Sequence, residues 1–525
     1  MKITKNLYPH RMVAALVLFA CMCWPAAAAP RHAKVASFDP NVREIFSIAM
    51  DWGDKYWDAA TGLCRQPESP SLLPGKPYDA DASVPDYFMV RESSIYALGL
   101  LLRDGPGDRG RAARILDVVL KMQYRDPGKR WDGTFRRSPN EQYPGEHAVR
   151  WIAYDPNWRE FIGTDFAIIL NDYPDRIPHA LAARMMESID YAISGEIGEK
   201  RLIPGYSNIA LMYGYLWSFA AEKGGKPQWK QPAEEWQESV YKLFKEHDAF
   251  SEYNSPTYYG TDLYGLALWR NYGLTERTRA MGREMEDGLW RATADFYNAN
   301  LRNVSGPYDR AYGMDMQSYV SVVGLCLRLA LSADKAPLVR LDHPPVDHVP
   351  DLWFIPALAI LDVRIPDDAM RSFRSLQAEH EVRRPIQGER IATAWIGKTL
   401  IYGGEITGRK RGVEFDSQFH PVTAQWLTSG NKIGWMNLIR SPYLDADATK
   451  KGLAITSLPG VFTFRIATSG IVAGQATARV WALDGLTVYI DTDGNSFKTL
   501  QGEGYIDVTY TGVSRMNLSF TQNQQ

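Results

Sequence analysis

The sequence predicts an α+β protein in two parts, a run of helical hairpins that fits an α/α toroid and, after it, an antiparallel β-sandwich. Three observations predict this. Between residues 39 and 334 apolar side chains recur at spacings of three and four, and no segment alternates with a period of two. Beyond residue 390 the texture changes to short runs rich in β-branched and aromatic residues, separated by Asp484-Gly485 and Asp493-Gly494 turns. No fixed period of self-similarity is present, which disfavours a solenoid of helical repeats.

At the N-terminus Lys2, Lys5 and Arg11 form a basic region ahead of an apolar run, 12–23, and Ala26 to Ala29 supply small residues for cleavage. The run of about 12 is too short to span a bilayer. Residues 1–28 are therefore expected to be a signal peptide, and the protein periplasmic or secreted. Phe19 fits poorly in the lipoprotein-like box at 18–21. Removing 1–28 takes away three positive charges and no acidic residue, so the formal net charge of −2 becomes −5. Nothing in that balance recommends nucleic acid or an anionic membrane as partner.

Ten helical segments follow: 42–57, 93–102, 112–122, 161–170, 180–193, 209–221, 236–244, 263–269, 278–297 and 314–331. Pro337, Pro344, Pro345, Pro350, Pro356 and Pro366 then punctuate a linker with some helix at 357–361. Strands are expected at 391–396, 399–402, 461–466, 480–483, 486–492 and 505–510. The expected organisation is a signal peptide 1–28, a toroid 29–335, a linker 336–389 and a sandwich 390–525.

Common cofactor signatures are excluded. Gly105-Pro106-Gly107-Asp108-Arg109-Gly110 has the letters of a dinucleotide fingerprint, but it follows a helix and reads as an interhelix turn. There is no phosphate-binding loop, no Gly-x-Ser-x-Gly elbow, no Cys-x-x-Cys and no His-Glu-x-x-His. No cofactor and no metal are expected, although Asp79, Asp81 and Asp86 could hold calcium as readily as form surface turns. Cys64 and Cys326 remain after export, a widely spaced pair that gives weak grounds for a disulfide.

The densest chemistry lies in Phe250-Ser251-Glu252-Tyr253-Asn254-Ser255-Pro256-Thr257-Tyr258-Tyr259-Gly260-Thr261-Asp262-Leu263-Tyr264. Pro256 and Gly260 make the front half a loop, and helical spacing begins at Thr261. Three further stretches share this design of polar and aromatic residues at a helix entry. They are Tyr154-Asp155-Pro156-Asn157-Trp158-Arg159, Pro204-Gly205-Tyr206-Ser207-Asn208 and Gly306-Pro307-Tyr308-Asp309-Arg310-Ala311-Tyr312-Gly313. In a toroid, loops at one end of successive inner helices converge on one cleft. Each residue also has a structural alternative: N-capping for Asn157 and Asn208, an interhelix ion pair for Arg310, core packing for Trp158, and one satisfied hydrogen bond for any single Tyr. Sixteen tryptophans suit either sugar stacking or helical cores.

The order Asn-Trp-x-x-x-Ile-Gly at Asn157, Trp158, Ile162 and Gly163, then Asn208 before a helix, then Phe250, Tyr258 and Gly260, then Arg310, resembles the polysaccharide lyases that include chondroitin AC lyase and hyaluronate lyase. The resemblance covers roughly residues 150–320. It implies a toroid followed by a sandwich, an acidic polysaccharide or oligosaccharide as substrate, and Asn208 as the group that neutralises the substrate carboxylate. The chain departs from the family where the catalytic His would fall at Tyr253 and the catalytic Tyr at Asp262, with Tyr264 two residues on.

Elimination across a uronate needs a neutralised carboxylate, a base for the adjacent C–H proton, and an acid for the leaving oxygen. Asn208 and Asn254 can hydrogen-bond the carboxylate and Arg310 can pair with it. The preferred acid/base is Tyr258, then Tyr253, then Tyr264, with His147 and His247 as spare bases. Asn157, Trp158, Asn254, Glu252, Asp262, Tyr312 and Tyr206 are expected to contact substrate. The competing expectations are a glycoside hydrolase of the same architecture, with carboxyl pairs drawn from Glu252, Asp262, Asp165 and Asp309, including hydration of an unsaturated uronyl sugar by one Asp, and a non-catalytic glycan-binding protein.

Overall fold

A computed structural model describes residues 33–67, 87–342, 346–415 and 417–523. The expected signal peptide and Asp79, Asp81 and Asp86 lie outside the described residues. The helical part holds α1 (Pro40–Tyr56), α2 (Val90–Arg103), α3 (Asp108–Lys121), α4 (Trp158–Asp172), α5 (His179–Glu199), α6 (Ser207–Lys223), α7 (Lys230–Lys245), α8 (Tyr258–Tyr272), α9 (Glu276–Phe296), α10 (Val322–Ala330), α11 (Ile355–Leu361) and α12 (Asp367–Arg374). Short strands β1 (Trp57–Asp58), β2 (Leu63–Arg65), β3 (Phe88–Met89), β4 (Tyr297–Asn298) and β5 (Asn303–Val304) brace its loops.

The helices pack as hairpins, α2 with α3, α4 with α5, α6 with α7 and α8 with α9. One member of each hairpin lies inside. The inner helices α2, α4, α6 and α8 contact one another in sequence, and α10 follows α8. Composition explains the layering: α4 buries twelve of its fifteen residues, whereas α7 buries four of its sixteen along a single stripe. Gly260 lets α8 and α10 meet, since a Cβ there would come within 2.4 Å of the Val322 carbonyl carbon. Helix α10 begins only at Val322, and residues 314–321, expected as helix, form turns whose Asn303 and Asp315 contacts hold them against β5.

The second part is an antiparallel sheet system of β6 (His380–Pro385), β7 (Ile391–Ile396), β8 (Leu400–Ile406), β9 (Val422–Leu427), β10 (Ile433–Arg440), β11 (Leu444–Thr449), β12 (Gly452–Ala467), β13 (Val480–Leu483), β14 (Leu486–Thr492), β15 (Ser496–Gln501) and β16 (Tyr505–Gln522). Its main path runs β13-β14-β16-β12-β10-β9-β8-β7-β6, with β11 bridging β12 and β8 and β15 beside β16. Alternation divides its side chains between two cores. Leu400 and Tyr402 of β8, and Met436 and Leu438 of β10, enter the sandwich interior. Ile401 and Trp435, on the opposite faces of the same strands, join the helical core. The chain is thus a helical ring followed by an antiparallel sandwich, the order that the family resemblance implies.

Residues 336–389, expected as a linker, carry α11 and α12 and bury Trp353, Phe354, Leu358 and Phe373; α11 packs on α1, α2 and α8. Pro350 and Pro356 stand in the first turns of the 3₁₀ helix 349–354 and of α11, Pro366 precedes α12 as its N-cap, and β6 pairs with β7 from His380 onward. The Gly105–Gly110 stretch joins α2 to α3. Cys64 and Cys326 are free, buried thiols. Among the described residues no helix is long and apolar enough to cross a membrane, and no group of His, Cys, Asp and Glu could hold a metal ion.

Candidate active site

The N-terminal ends of α2, α4, α6, α8 and α10 point to one cleft of about 740 Å³, lined at these ends by Arg91, Asn157, Trp158, Asn208, Tyr258 and Val322. The N-cap residues of α2, α4, α6 and α8 (Met89, Asn157, Tyr206 and Thr257) make no side-chain cap hydrogen bond. Convergent helix N-termini favour negative charge in the space they face. Asn157 does stand at an N-cap position, but its amide instead donates to the Tyr206 hydroxyl at 2.8 Å and its carbonyl accepts from Arg201 at 2.9 Å. Asn208 lies inside α6 and donates to the Glu252 carboxylate.

At one end of the cleft, Arg310 is the centre. Its Nη2 donates to the Tyr258 hydroxyl at 2.5 Å, its Nη1 to Glu252, and its Nε to Gln418 of the sandwich at 2.9 Å. The guanidinium carbon lies 3.8 Å from the Tyr258 ring centroid. The Tyr258 and Tyr312 hydroxyls are 2.5 Å apart. Tyr312 stacks on His348 at 4.9 Å, and Asp351 lies 3.2 Å from His348 Nδ1.

The electrostatics divide these groups by role. Burial pushes the Tyr258 phenol well above its ordinary value, and neighbouring Tyr312 adds to this while Arg310 opposes it. Tyr258 therefore holds its proton at neutral pH. Burial also raises the Glu252 carboxyl, against the opposing pull of Arg310, Asn208 and Ser207. The Tyr206 phenol is pushed up to about 12, first by burial and then by Glu252. Desolvation raises the Asp155 carboxyl on the cleft wall.

The loop that carries Arg310 is held by the sandwich. Tyr308 and His420 exchange backbone hydrogen bonds at 3.0 and 2.8 Å, and Ala311 N donates to Gln418 O at 3.0 Å. Asp309, 3% exposed, receives Arg390 Nη2 at 2.5 and 2.6 Å and Arg411 Nη1 at 2.6 Å. Gly403 allows the approach: a Cβ there would lie 1.7 Å from the Gly306 carbonyl oxygen.

The structure thus brings Asn208, Glu252, Tyr258, Arg310 and Tyr312 together, with Tyr206, Asn157 and Trp158 on the same cleft. The other four expected site residues do not reach it. The Tyr253 ring packs edge-on to Tyr259 and Phe296 and is 1% exposed. Tyr264 is equally buried and donates to Thr164 Oγ1 at 2.9 Å. Asn254, at φ 54°, donates to the Ser305 and Pro307 carbonyls at 2.6 and 3.1 Å and so fixes two loops to each other. Asp262 is fully buried in the second turn of α8, where burial and then Glu252 push its carboxyl well above the ordinary range. As candidate carboxyls for hydrolysis, Asp165 and Asp309 are likewise engaged, with Ser94 and with the arginine clasp. His147 and His247 do not line the cleft.

Residue-by-residue reading missed His348, Asp351, Arg91 and Gln418. Arg91 stands in the first turn of α2, 5.6 Å from the Trp158 ring centroid and paired with Glu92. The left-handed φ of 53° at His348, just before Pro350, gave no signal that a sequence pattern carries.

Residues 43–363 match a family model described as a domain of unknown function (DUF8769), and residues 377–520 match another described as a domain of unknown function (DUF8770). No curated protein matches the chain. Among solved structures the chain is similar to a crystal structure of heparinase III (TM-score 0.44, 8% identity, 94% of this chain and 87% of that one). It is also similar to a second heparinase III with methylated lysines (0.32, 9%, 90% and 84%). A third is endoglucanase CelQ from Clostridium thermocellum complexed with cellobiose and cellotriose (0.24, 9%, 92% and 93%).

Proposed function

The chain belongs to the DUF8769 family, and we propose that it is an exported enzyme that cleaves a uronate-bearing glycan by β-elimination. One observation carries the proposal: a guanidinium, Arg310, donates to the hydroxyl of a protonated tyrosine, Tyr258, at the end of a ring where the N-termini of α4, α6 and α8 converge. Such a place suits a carboxylate and an acid acting side by side.

In this mechanism Arg310, with the amide of Asn208, binds the uronate carboxylate and stabilises the negative charge that develops when the adjacent carbon loses its proton. His348, oriented by Asp351 at Nδ1, takes that proton. The electron pair forms the new C=C bond, the bond to the leaving glycosidic oxygen breaks, and Tyr258 donates its proton to that oxygen. Tyr312 and Arg310 hold the resulting phenolate by hydrogen bonds until it is reprotonated. Tyr206, Asn157 and Trp158 contact the neighbouring sugars.

A hydrolytic reading is favoured by one feature, the raised carboxyl of Asp155 on the cleft wall, which suits a general acid. A single experiment separates the two. The purified protein is incubated with hyaluronan, unsulfated chondroitin, heparosan, alginate and polygalacturonate. Elimination creates near-ultraviolet absorbance together with new reducing ends. Reducing ends without absorbance on any of these would replace elimination by hydrolysis, and neither signal on all five would overturn the proposal.

A further inference from the structure

One part of the cleft is left unused by this chemistry. Trp151 and Ile203 line its rim, and they are 52% and 64% exposed, beside Ile152 at 74%. Exposed apolar groups of this size gathered at a cleft mouth mark contact sites more often than chance surface. Trp151 also holds φ at 63°, in the left-handed region that side-chain-bearing residues rarely adopt.

The exposure does not come from a loose loop. Trp151 N donates to Tyr154 O at 2.7 Å, and Ala153 N to Val149 O at 2.8 Å. Arg137 Nη2 donates to Ile152 O at 2.9 Å, and Glu199 anchors Arg150 at 2.8 Å. The Arg150 guanidinium sits 5.5 Å from the Trp151 ring centroid. A short, well-tied turn therefore presents a large ring outward in a backbone conformation that opposes it. Neither the strain nor the exposure helps folding, and strain held in place by its surroundings points to use.

We infer that Trp151, with Ile203, forms a sugar-binding subsite at the cleft mouth, the indole taking the C–H face of a pyranose in the same glycan chain, remote from the residue held by Arg310. The inference rests on the proposed glycan-cleaving function and extends it. Continuity with the cleft that holds Arg310 and Tyr258 selects a sugar of the substrate as occupant. A pyranose offers an apolar face for the indole, and its hydroxyls can reach Asp155 and Arg137 on the adjacent wall.

Trp151→Gly tests this directly, because glycine relieves the left-handed backbone while deleting the ring. With the polyuronate that the wild type cleaves, KM of Trp151→Gly for the polymer should rise about three- to ten-fold with a smaller change in kcat. The ratio of mutant to wild-type KM should fall towards one as the oligosaccharide is shortened to the smallest that is cleaved. Tm should hold or rise, and Trp151→Phe should recover most of the affinity. Ile203→Ser, which leaves the turn untouched, should shift KM in the same direction. An unchanged polymer KM in both variants would overturn the subsite alone. So would a lower Tm with equal losses on short and long substrates, which would make Trp151 a structural residue, or a change confined to self-association, which would make the rim a protein contact. Absence of any glycan cleavage by the wild type would instead remove the function on which the subsite rests.

Discussion

Tyr258 and Arg310 form one chemical unit, and their variants should separate binding from chemistry. Tyr258→Phe removes the proton donor and one oxygen while keeping the ring under Arg310. It should lower kcat by about 10² to 10⁴ while the dissociation constant from calorimetry changes little. Arg310→Lys keeps a charge but loses the planar fork that reaches Glu252, Gln418 and Tyr258 together. It should raise KM for uronate substrates by roughly ten-fold or more, and an unchanged KM would remove the carboxylate role. Burial keeps the Tyr258 phenol above its ordinary value, so as an acid it stays protonated wherever the protein is folded. The kcat profile should show no alkaline limb below about pH 10 that Tyr258→Phe abolishes. Much of this site was legible because loop-to-helix entries rich in Tyr, Asn and Arg are visible in sequence. What was not legible is the phase. A helix turns about 100° per residue, so Tyr264 leaves the face on which Tyr258 reaches the cleft; Asp262 stays near that face but lies one turn deeper, fully buried beside Ser207, and Asn254 is spent on two carbonyls. His348 is a lone histidine whose value depends on Tyr312 and Asp351 being beside it.

At the scale of elements, the loop between β5 and α10 is where the two halves of the molecule meet. Its Asp309 is buried with Arg390 and Arg411, and Arg390 is shared with Glu405 at 2.8 Å. The sandwich thereby sets the position of Arg310 through Gln418 and the Tyr308–His420 bridge. Breaking a buried pair by removing one partner leaves an uncompensated charge. Arg390→Ala should therefore destabilise by about 3 kcal/mol in urea unfolding and also lower kcat. Arg390→Lys should restore stability more than activity, because one ammonium nitrogen cannot hold Asp309 as Nη2 does and Glu405 as Nε does at the same time. A variant with full kcat would mean that the clasp does not position Arg310. The helical hairpins themselves were readable from spacing alone, since each inner helix is a continuous apolar segment and each outer one a stripe. The helix expected at 357–361 is α11, but the prolines of 336–389 obscured α12, since proline marks both breaks and helix starts, and only burial of Ala369 and Phe373 tells them apart. Strands of two residues, such as β4 and β5, carry too few side chains for any periodicity.

For the molecule as a whole, a buried Arg270–Glu286 contact ties one hairpin to α11, and its linkage to pH can be measured. Arg270 of α8 donates from Nε to Glu286 of α9 at 2.6 Å, and from Nη2 to the carbonyls of Leu361 and Asp362 at 3.1 and 2.5 Å, tying two hairpin helices to α11. Burial outweighs Arg270 and pushes the Glu286 carboxyl up to about 7. The Glu405 carboxyl, buried beside Asp309, is raised by the same cause, with Asp309 adding to burial and Arg390 opposing it. A carboxyl raised in the folded state binds its proton more tightly there than in the unfolded chain, whose value lies near 4.3. The stability it contributes is complete below that value and is lost as pH rises to about 7, at close to 1.4 kcal/mol per pH unit while only the folded state is protonated. For Glu286, with a folded value of about 7, the loss sums to about 4 kcal/mol over this window. Glu286→Gln keeps the shape and most hydrogen bonds but cannot titrate. The difference in unfolding free energy between wild type and Glu286→Gln should therefore move against the wild type from pH 4.5 to 7 and stay level above pH 7.5. A difference independent of pH would mean that Glu286 is ionised throughout, and that the Arg270 pair, rather than burial, sets its charge.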